Sequence, residues 1–191
     1  MKSLKTVQGL AKAGRILSTI VFICSIVAGA LCAIGALLTG IVGGGMVDFV
    51  NRYLVKFDGG AVALTADYML TALICGVIIS AGEAVLSKFA INYFKRELKD
   101  GTPFTFGGAA ELKRLGLLAI FIPIGAYAAA GIFYGIMKLT HPDLAEINFS
   151  GALTILTGAL LLTGSCICKL GAEQAEGNAA AAEETQPENE L

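Results

Sequence analysis

The sequence contains no tryptophan, only one histidine and little charge. Asp, Glu, Lys and Arg make up 15% of its 191 residues, whereas soluble domains carry about a quarter. This scarcity argues against an ordinary soluble domain. The net charge of −1 provides no field that would attract nucleic acid, so we predict no nucleic-acid partner. The five cysteines include no C-x-x-C spacing, which argues against zinc binding and thiol redox chemistry.

The chain also lacks the short motifs of common catalytic and nucleotide-binding sites. It has no G-x-S-x-G, and the glycines at 43–45 are not followed by the Lys-Ser/Thr of a phosphate-binding loop. His141 stands alone before a proline and cannot belong to an H-E-x-x-H motif. We therefore predict that the protein is not an enzyme and has no catalytic residue, no cofactor and no bound metal.

Long uncharged runs take the place of these features. Hydrophobic residues make up 55% of the chain, and its mean hydropathy is +0.74. Uncharged runs of 27, 23 and 22 residues cover 16–42, 115–137 and 147–168, and about 20 residues suffice to cross a membrane. The first run is longer than the apolar part of a cleavable signal peptide, which favours an uncleaved span. We predict a transmembrane helix at each run.

A further span, second in chain order, is predicted from the distribution of basic residues. The segment 67–87 has only 15 consecutive uncharged residues before Glu83. If it crosses, eleven Lys and Arg residues lie on the side of the N-terminus and three lie outside, as the positive-inside rule requires. We therefore predict an all-α polytopic membrane protein, a four-transmembrane-helix antiparallel bundle over residues 1–170, with both termini in the cytoplasm.

The connecting segments carry their own signals. The helical pattern continues beyond the second span, which predicts a helical inner extension over 88–100 that ends at Gly101, a residue type common after helices. On the outer side we expect a short interfacial helix around 46–55. Residues 171–191 are rich in Ala and Glu and have too little apolar mass for a core, so we predict an acidic, disordered cytoplasmic tail.

The turn after the inner extension contains a short pattern, G-x-P-F … L … G, formed by Gly101, Pro103, Phe104, Leu112 and Gly116. This pattern resembles a motif of a family of small bacterial membrane proteins, the domain of unknown function 2975 (DUF2975). The segment Lys-Leu-Gly-Ala-Glu at 169–173 also resembles the family. The resemblance implies four spans in a bacterial cytoplasmic membrane. It implies no enzymatic activity and supplies no catalytic residue.

Glu83, with Ser80 and Ser87, is the candidate intramembrane polar site. Ala72, Gly76 and Ser80 recur at helical spacing as a small-residue face, and Glu83 continues this face toward protein rather than lipid. One interpretation is a proton- or cation-coupling site, because carboxylates inside a membrane are costly and often functional. The other is an interfacial carboxylate, which we favour because no second buried charge exists to form a relay.

Faces of small residues also occur on the other spans, and they indicate where another helix can pack. Ser25, Gly29 and Ala33 share one face of the first span, and Gly131-x-x-x-Gly135 lies on the third. Such faces let helices approach closely, either within one bundle or in a homodimer or a complex with another membrane protein. The basic inner loop makes anionic lipid another candidate partner, although the same charges are also explained by topology alone.

Two functions fit these features. The first is an uncharacterised, non-catalytic membrane subunit with a regulatory or partner-binding role that depends on helix packing and the inner loop. The alternative is a small transporter or transporter subunit, in which Glu83 is the coupling site.

Overall fold

The computed structural model describes residues 2–53, 65–101, 104–147 and 152–184, with side chains at 8–52, 65–101, 104–147 and 156–178. The regular secondary structure of these residues is entirely helical, without a strand. The five helices are α1 (Lys2–Val42), α2 (Gly44–Tyr53), α3 (Ala66–Asp100), α4 (Phe106–Thr140) and α5 (Ala152–Glu184).

Within the described ranges, three helices are long and apolar enough to cross a membrane. These candidate spans are Gln8–Val42, Ala66–Asp100 and Phe106–Thr140. The prediction of an all-α, multi-pass membrane protein is confirmed to this extent. The second predicted span, over residues 67–87, lies within one of the three helices. Each has 35 residues, about 52 Å of helix, so each is longer than a hydrocarbon core of about 30 Å.

Two glycines stand where helices end. Gly43 separates α1 from α2 with φ 58°, and Gly101 follows α3 with φ 78°; glycine adopts this left-handed conformation without a steric penalty. The Gly101 N–H donates to the carbonyl oxygen of Glu97 at 3.0 Å. The prediction that Gly101 terminates the inner helix is therefore confirmed. The helix expected near residue 46 is also present, as α2.

The acidic tail differs from the prediction. Helix α5 continues to Glu184, so disorder is wrong for residues 171–184, while 185–191 lie outside the described part of the chain. Alanine and glutamate are among the strongest helix formers, and here this local preference applies although the segment has no apolar core. The Lys169 ammonium also lies 3.6 Å from the Glu173 carboxylate one turn later, a spacing that supports a helix.

The chain divides into two compact units. The first unit comprises residues 1–19, 88–120 and 153–191, and the second comprises 20–87 and 121–152. Each unit therefore combines parts of several helices rather than one continuous stretch of sequence.

In the second unit, α1 packs against α3 through small residues. A Cβ atom placed on Gly76 would lie 2.9 Å from the Cys32 sulfur, and one placed on Gly29 would lie 3.2 Å from the Ser80 Cβ. The later residue of α1 meets the earlier residue of α3, so the two helices are antiparallel. The predicted faces containing Gly29 and Gly76 thus meet each other.

Helix α3 also packs against α4 in this unit. A Cβ atom on Gly82 would lie 3.0 Å from that of Ala126. The Cys75 thiol, which is 2% exposed, donates to the carbonyl oxygen of Ala130 at 3.5 Å. These contacts are again antiparallel. In contrast, a Cβ atom on Gly135 would have no described neighbour within 4 Å, so this member of a predicted small-residue face is open.

In the first unit the closest helix contact joins α4 and α5. A Cβ atom on Gly158 would lie 2.5 Å from Ile120 and 3.0 Å from the carbonyl oxygen of Gly116. Helix α1 likewise meets α3 where the Phe94 ring lies directly over Gly14, 2.6 Å from a Cβ atom placed there. The contact at Gly158 requires glycine because a side chain there would press on the backbone of α4, whereas the contact at Gly14 involves only the end of the Phe94 side chain.

We predict that Gly158→Ala destabilises the protein by about 1–3 kcal/mol, because the new methyl group would press on a backbone carbonyl that cannot rotate away. Gly135→Ala is the matched control and should change stability by less than about 0.5 kcal/mol, since its methyl group enters open space. Unfolding in mixed detergent micelles, followed by circular dichroism, measures both. Equal stability of the two variants would contradict the α4–α5 contact.

Candidate functional site

Glu83 of α3 lies opposite Ser25 of α1. The Ser25 side chain is buried, at 4% exposure, and its hydroxyl oxygen lies 2.9 Å from the carbonyl oxygen of Val21 and 3.4 Å from Glu83 Oε2. A hydroxyl carries one proton, so the shorter bond within α1 leaves only a weak one for the carboxylate. Glu83 itself is exposed. It therefore contacts α1 without being enclosed by it.

The two serines predicted to accompany Glu83 are placed differently. The Ser80 hydroxyl donates to the carbonyl oxygen of Gly76 at 2.6 Å, so its proton is used within α3. Ser87 is 7% exposed. The residue that the structure adds to the site is Ser25. The sequence placed it on the small-residue face of α1, but only the register between the two helices pairs it with Glu83.

Glu83 has no charged companion in the described ranges. The ion pairs formed there do not include it. His141 instead lies 3.3 Å from Asp67, with both side chains nearly half exposed. Within the described ranges, no three His, Cys, Asp or Glu residues are close enough to hold a metal ion.

In the first unit, charged residues tie the end of α3 to the start of α4. Arg96 of α3 forms an ion pair with Glu111 of α4. One turn away, the Arg114 guanidinium of α4 lies 5.5 Å from the centre of the Phe89 ring of α3. A cation over an aromatic face is attracted to it. The two contacts hold together the segment that we call the inner hairpin, residues 88–118.

A cavity of about 290 Å³ opens beside these contacts. Its lining combines apolar and charged side chains from both helices: Phe89, Asn92, Tyr93, Arg96, Glu111, Arg114, Leu115 and Leu118. Because the lining includes the Glu111 carboxylate as well as the Arg96 and Arg114 guanidinium groups, the cavity carries charge of both signs. It suits an uncharged or zwitterionic group better than an anion.

The residues that carried the family resemblance come together from two distant segments. Phe104, from the turn, lies over Gly171 of α5, where an added Cβ atom would be 2.7 Å from the ring. Gly101 ends α3 just before this turn. Pro103, the remaining residue of the turn motif, lies outside the described residues. The turn and the end of the fourth predicted span are thus in direct contact.

The other two motif residues pack α4 against α5. Leu112 is 8% exposed and would lie 3.6 Å from a Cβ atom on Gly164. A Cβ atom on Gly116 would be 3.0 Å from Leu162. In the described part of the chain, the motif residues therefore terminate a helix or fill helix interfaces, which is a structural rather than a chemical role.

No family model, curated protein or solved structure matches this chain. The family resemblance of the inner turn therefore stays a prediction. Function has to be inferred from the geometry of the residues themselves.

We predict that Gly171→Val loosens the inner hairpin, because the new side chain would displace the Phe104 ring from α5. Trypsin cleavage at Lys99 should become severalfold faster, since proteolysis follows local opening. Gly177→Val on the same helix is the control, because no described atom lies within 4 Å of its Cβ position. Cleavage is followed by mass spectrometry. Equal rates for the two variants would show that Phe104 does not anchor the hairpin.

Proposed function

We propose that this chain is a four-span protein of the bacterial cytoplasmic membrane that acts without catalysis, as a regulatory or partner-binding subunit. The observation that supports this is the inner hairpin. It is held in one shape by the Arg96–Glu111 ion pair and the contact of Arg114 with Phe89. A surface that is ordered before binding loses less conformational entropy when a partner arrives, so it binds more tightly for the same contacts.

The surface of the hairpin has the composition of a binding face. Lys95 and Lys99 are exposed and form no ion pair with a described residue. Phe106 is 43% exposed. An aromatic residue beside a polar rim is typical of protein interfaces, and exposed lysines favour an acidic partner. We infer that the partner is a membrane protein with an acidic cytoplasmic segment, or a second copy of this chain.

In the proposed topology, with four spans and both termini in the cytoplasm, the inner hairpin also lies in the cytoplasm. If α5 crosses as the fourth span, Lys169 at its inner end joins the basic residues of the hairpin and of the N-terminal segment on one side, as the positive-inside rule requires. A reporter fused after Thr105 is then expected in the cytoplasm, and one fused after Pro142 outside. Fusion activity of a phosphatase that folds only outside the cytoplasm measures both. An exterior Thr105 would overturn the topology.

The partner-binding role is tested by photo-crosslinking in native membranes. A photoreactive residue in place of Lys95 should give a discrete adduct, whereas one in place of Leu139, which is 85% exposed near the other end of α4, should not. Glu111→Ala should lower the Lys95 adduct severalfold, because Arg96 loses its partner on α4. The adduct mass separates a homodimer from a different protein. No adduct from Lys95 would contradict the proposal.

The transporter alternative rests on Glu83 and its contact with Ser25. Glu83→Gln keeps the size of the side chain and removes its charge. For a partner-binding subunit, this variant should leave the Lys95 adduct unchanged. A transporter coupled through Glu83 predicts instead a pH-dependent flux in reconstituted vesicles that Glu83→Gln abolishes. Detecting that flux would favour the alternative.

A further inference from the structure

We propose that a groove between α4 and α5 in the first unit binds an anionic phospholipid. The groove has a volume of about 510 Å³. It is lined by Lys113 of α4, by Lys169 of α5 and by apolar residues, which we call its floor and which include Ala109, Ala110 and Leu162. An amphiphile with a negative headgroup matches both the lysines and the apolar floor. The lysines attract its phosphate, and the floor covers the start of an acyl chain.

The charges of the groove favour an anion. Its lining includes two lysines and no carboxylate, in contrast to the cavity beside the inner hairpin, whose lining includes Glu111. Lys113 is exposed and forms no ion pair with a described residue. The Lys169 ammonium lies 3.6 Å from Glu173, but both side chains are about half exposed or more, and such pairs contribute little. A phosphate can therefore replace Glu173 at low cost.

The floor of the groove favours a lipid over a soluble anion. Ser165 is the hydroxyl residue in the lining, and its side chain donates to the carbonyl oxygen of Ala109 at 3.0 Å. Its proton is therefore already used inside the protein. The alanine and leucine side chains offer nothing to a small hydrated anion, but they exclude water around a hydrocarbon chain. A free phosphate would use the lysines alone.

The position of the groove fits the inner leaflet, and this step depends on the four-span topology proposed above. Lys113 comes just before the third predicted span and Lys169 just after the fourth. The two lysines then lie at the level of the cytoplasmic headgroups. Basic pockets between membrane helices on this side are typical binding sites for anionic lipid headgroups.

The test uses the full chain in detergent and a phosphatidylglycerol with a photoreactive acyl chain. Labelled peptides, located by mass spectrometry, should come from residues 106–118 and 156–169. The double variant Lys113→Gln, Lys169→Gln should raise the half-saturating lipid concentration about thirtyfold, because two near-surface cations are lost. Lys95→Gln, Lys99→Gln is the matched control. It removes the same charge outside the groove and should change this concentration less than about twofold.

Several outcomes would overturn the lipid site. These are equal groove labelling by a phosphatidylcholine probe, an equal loss in the control pair, or displacement of the probe by glycerol phosphate, which would indicate a soluble anion. Lys113→Arg, Lys169→Arg keeps both charges and should retain labelling, which separates lost charge from lost folding. The Thr105 reporter and the Lys95 adduct are measured independently. If both behave as expected while groove labelling is absent, the lipid site alone is wrong.

Discussion

Close contact at glycine holds the helices of this protein together. Inside a bilayer the lipid is as apolar as the side chains, so the hydrophobic effect does not drive helices against each other and van der Waals packing has to do so. Among the described glycines, the closest approach in the first unit is that of Gly158 to Ile120, and in the second unit that of Gly76 to Cys32. In the second unit these small residues set the register of α1 against α3, and with it the approach of Ser25 to Glu83.

Charged residues lie where the long helices extend beyond the hydrocarbon core of a membrane. A helix of 35 residues is about 20 Å longer than the hydrocarbon core, so part of it has to emerge into headgroups or water. On α3 the residues after 87 include Lys88, Lys95, Arg96 and Lys99. Pairing Arg96 with Glu111 and placing Arg114 over Phe89 uses some of that charge to build the inner hairpin. Lys95 and Lys99 remain exposed and form no ion pair with a described residue.

Glu83 shows how one residue type supports two functional interpretations. A carboxylate within a span is costly unless water, a partner or a proton compensates it. Its weak hydrogen bond to Ser25 and its exposure mean that the described residues compensate it only in part. Water at a membrane surface can compensate such a carboxylate, whereas a coupling site needs a proton or a cation.

The hydropathy and charge of the sequence determined that the chain is helical and multi-pass, and Gly101 marked the end of α3. Both the apolar runs and the helix end depend on residues that are close together in the chain. The prediction of disorder was wrong for residues 171–184. The lack of apolar residues there was taken to exclude a helix, but Ala and Glu favour a helix by local preference alone. Only the tertiary structure decided that Ser25 faces Glu83 and that Phe104 covers Gly171. Those pairs depend on the register between separate helices, and a small-residue face specifies that a neighbour can approach without specifying which neighbour or at what height.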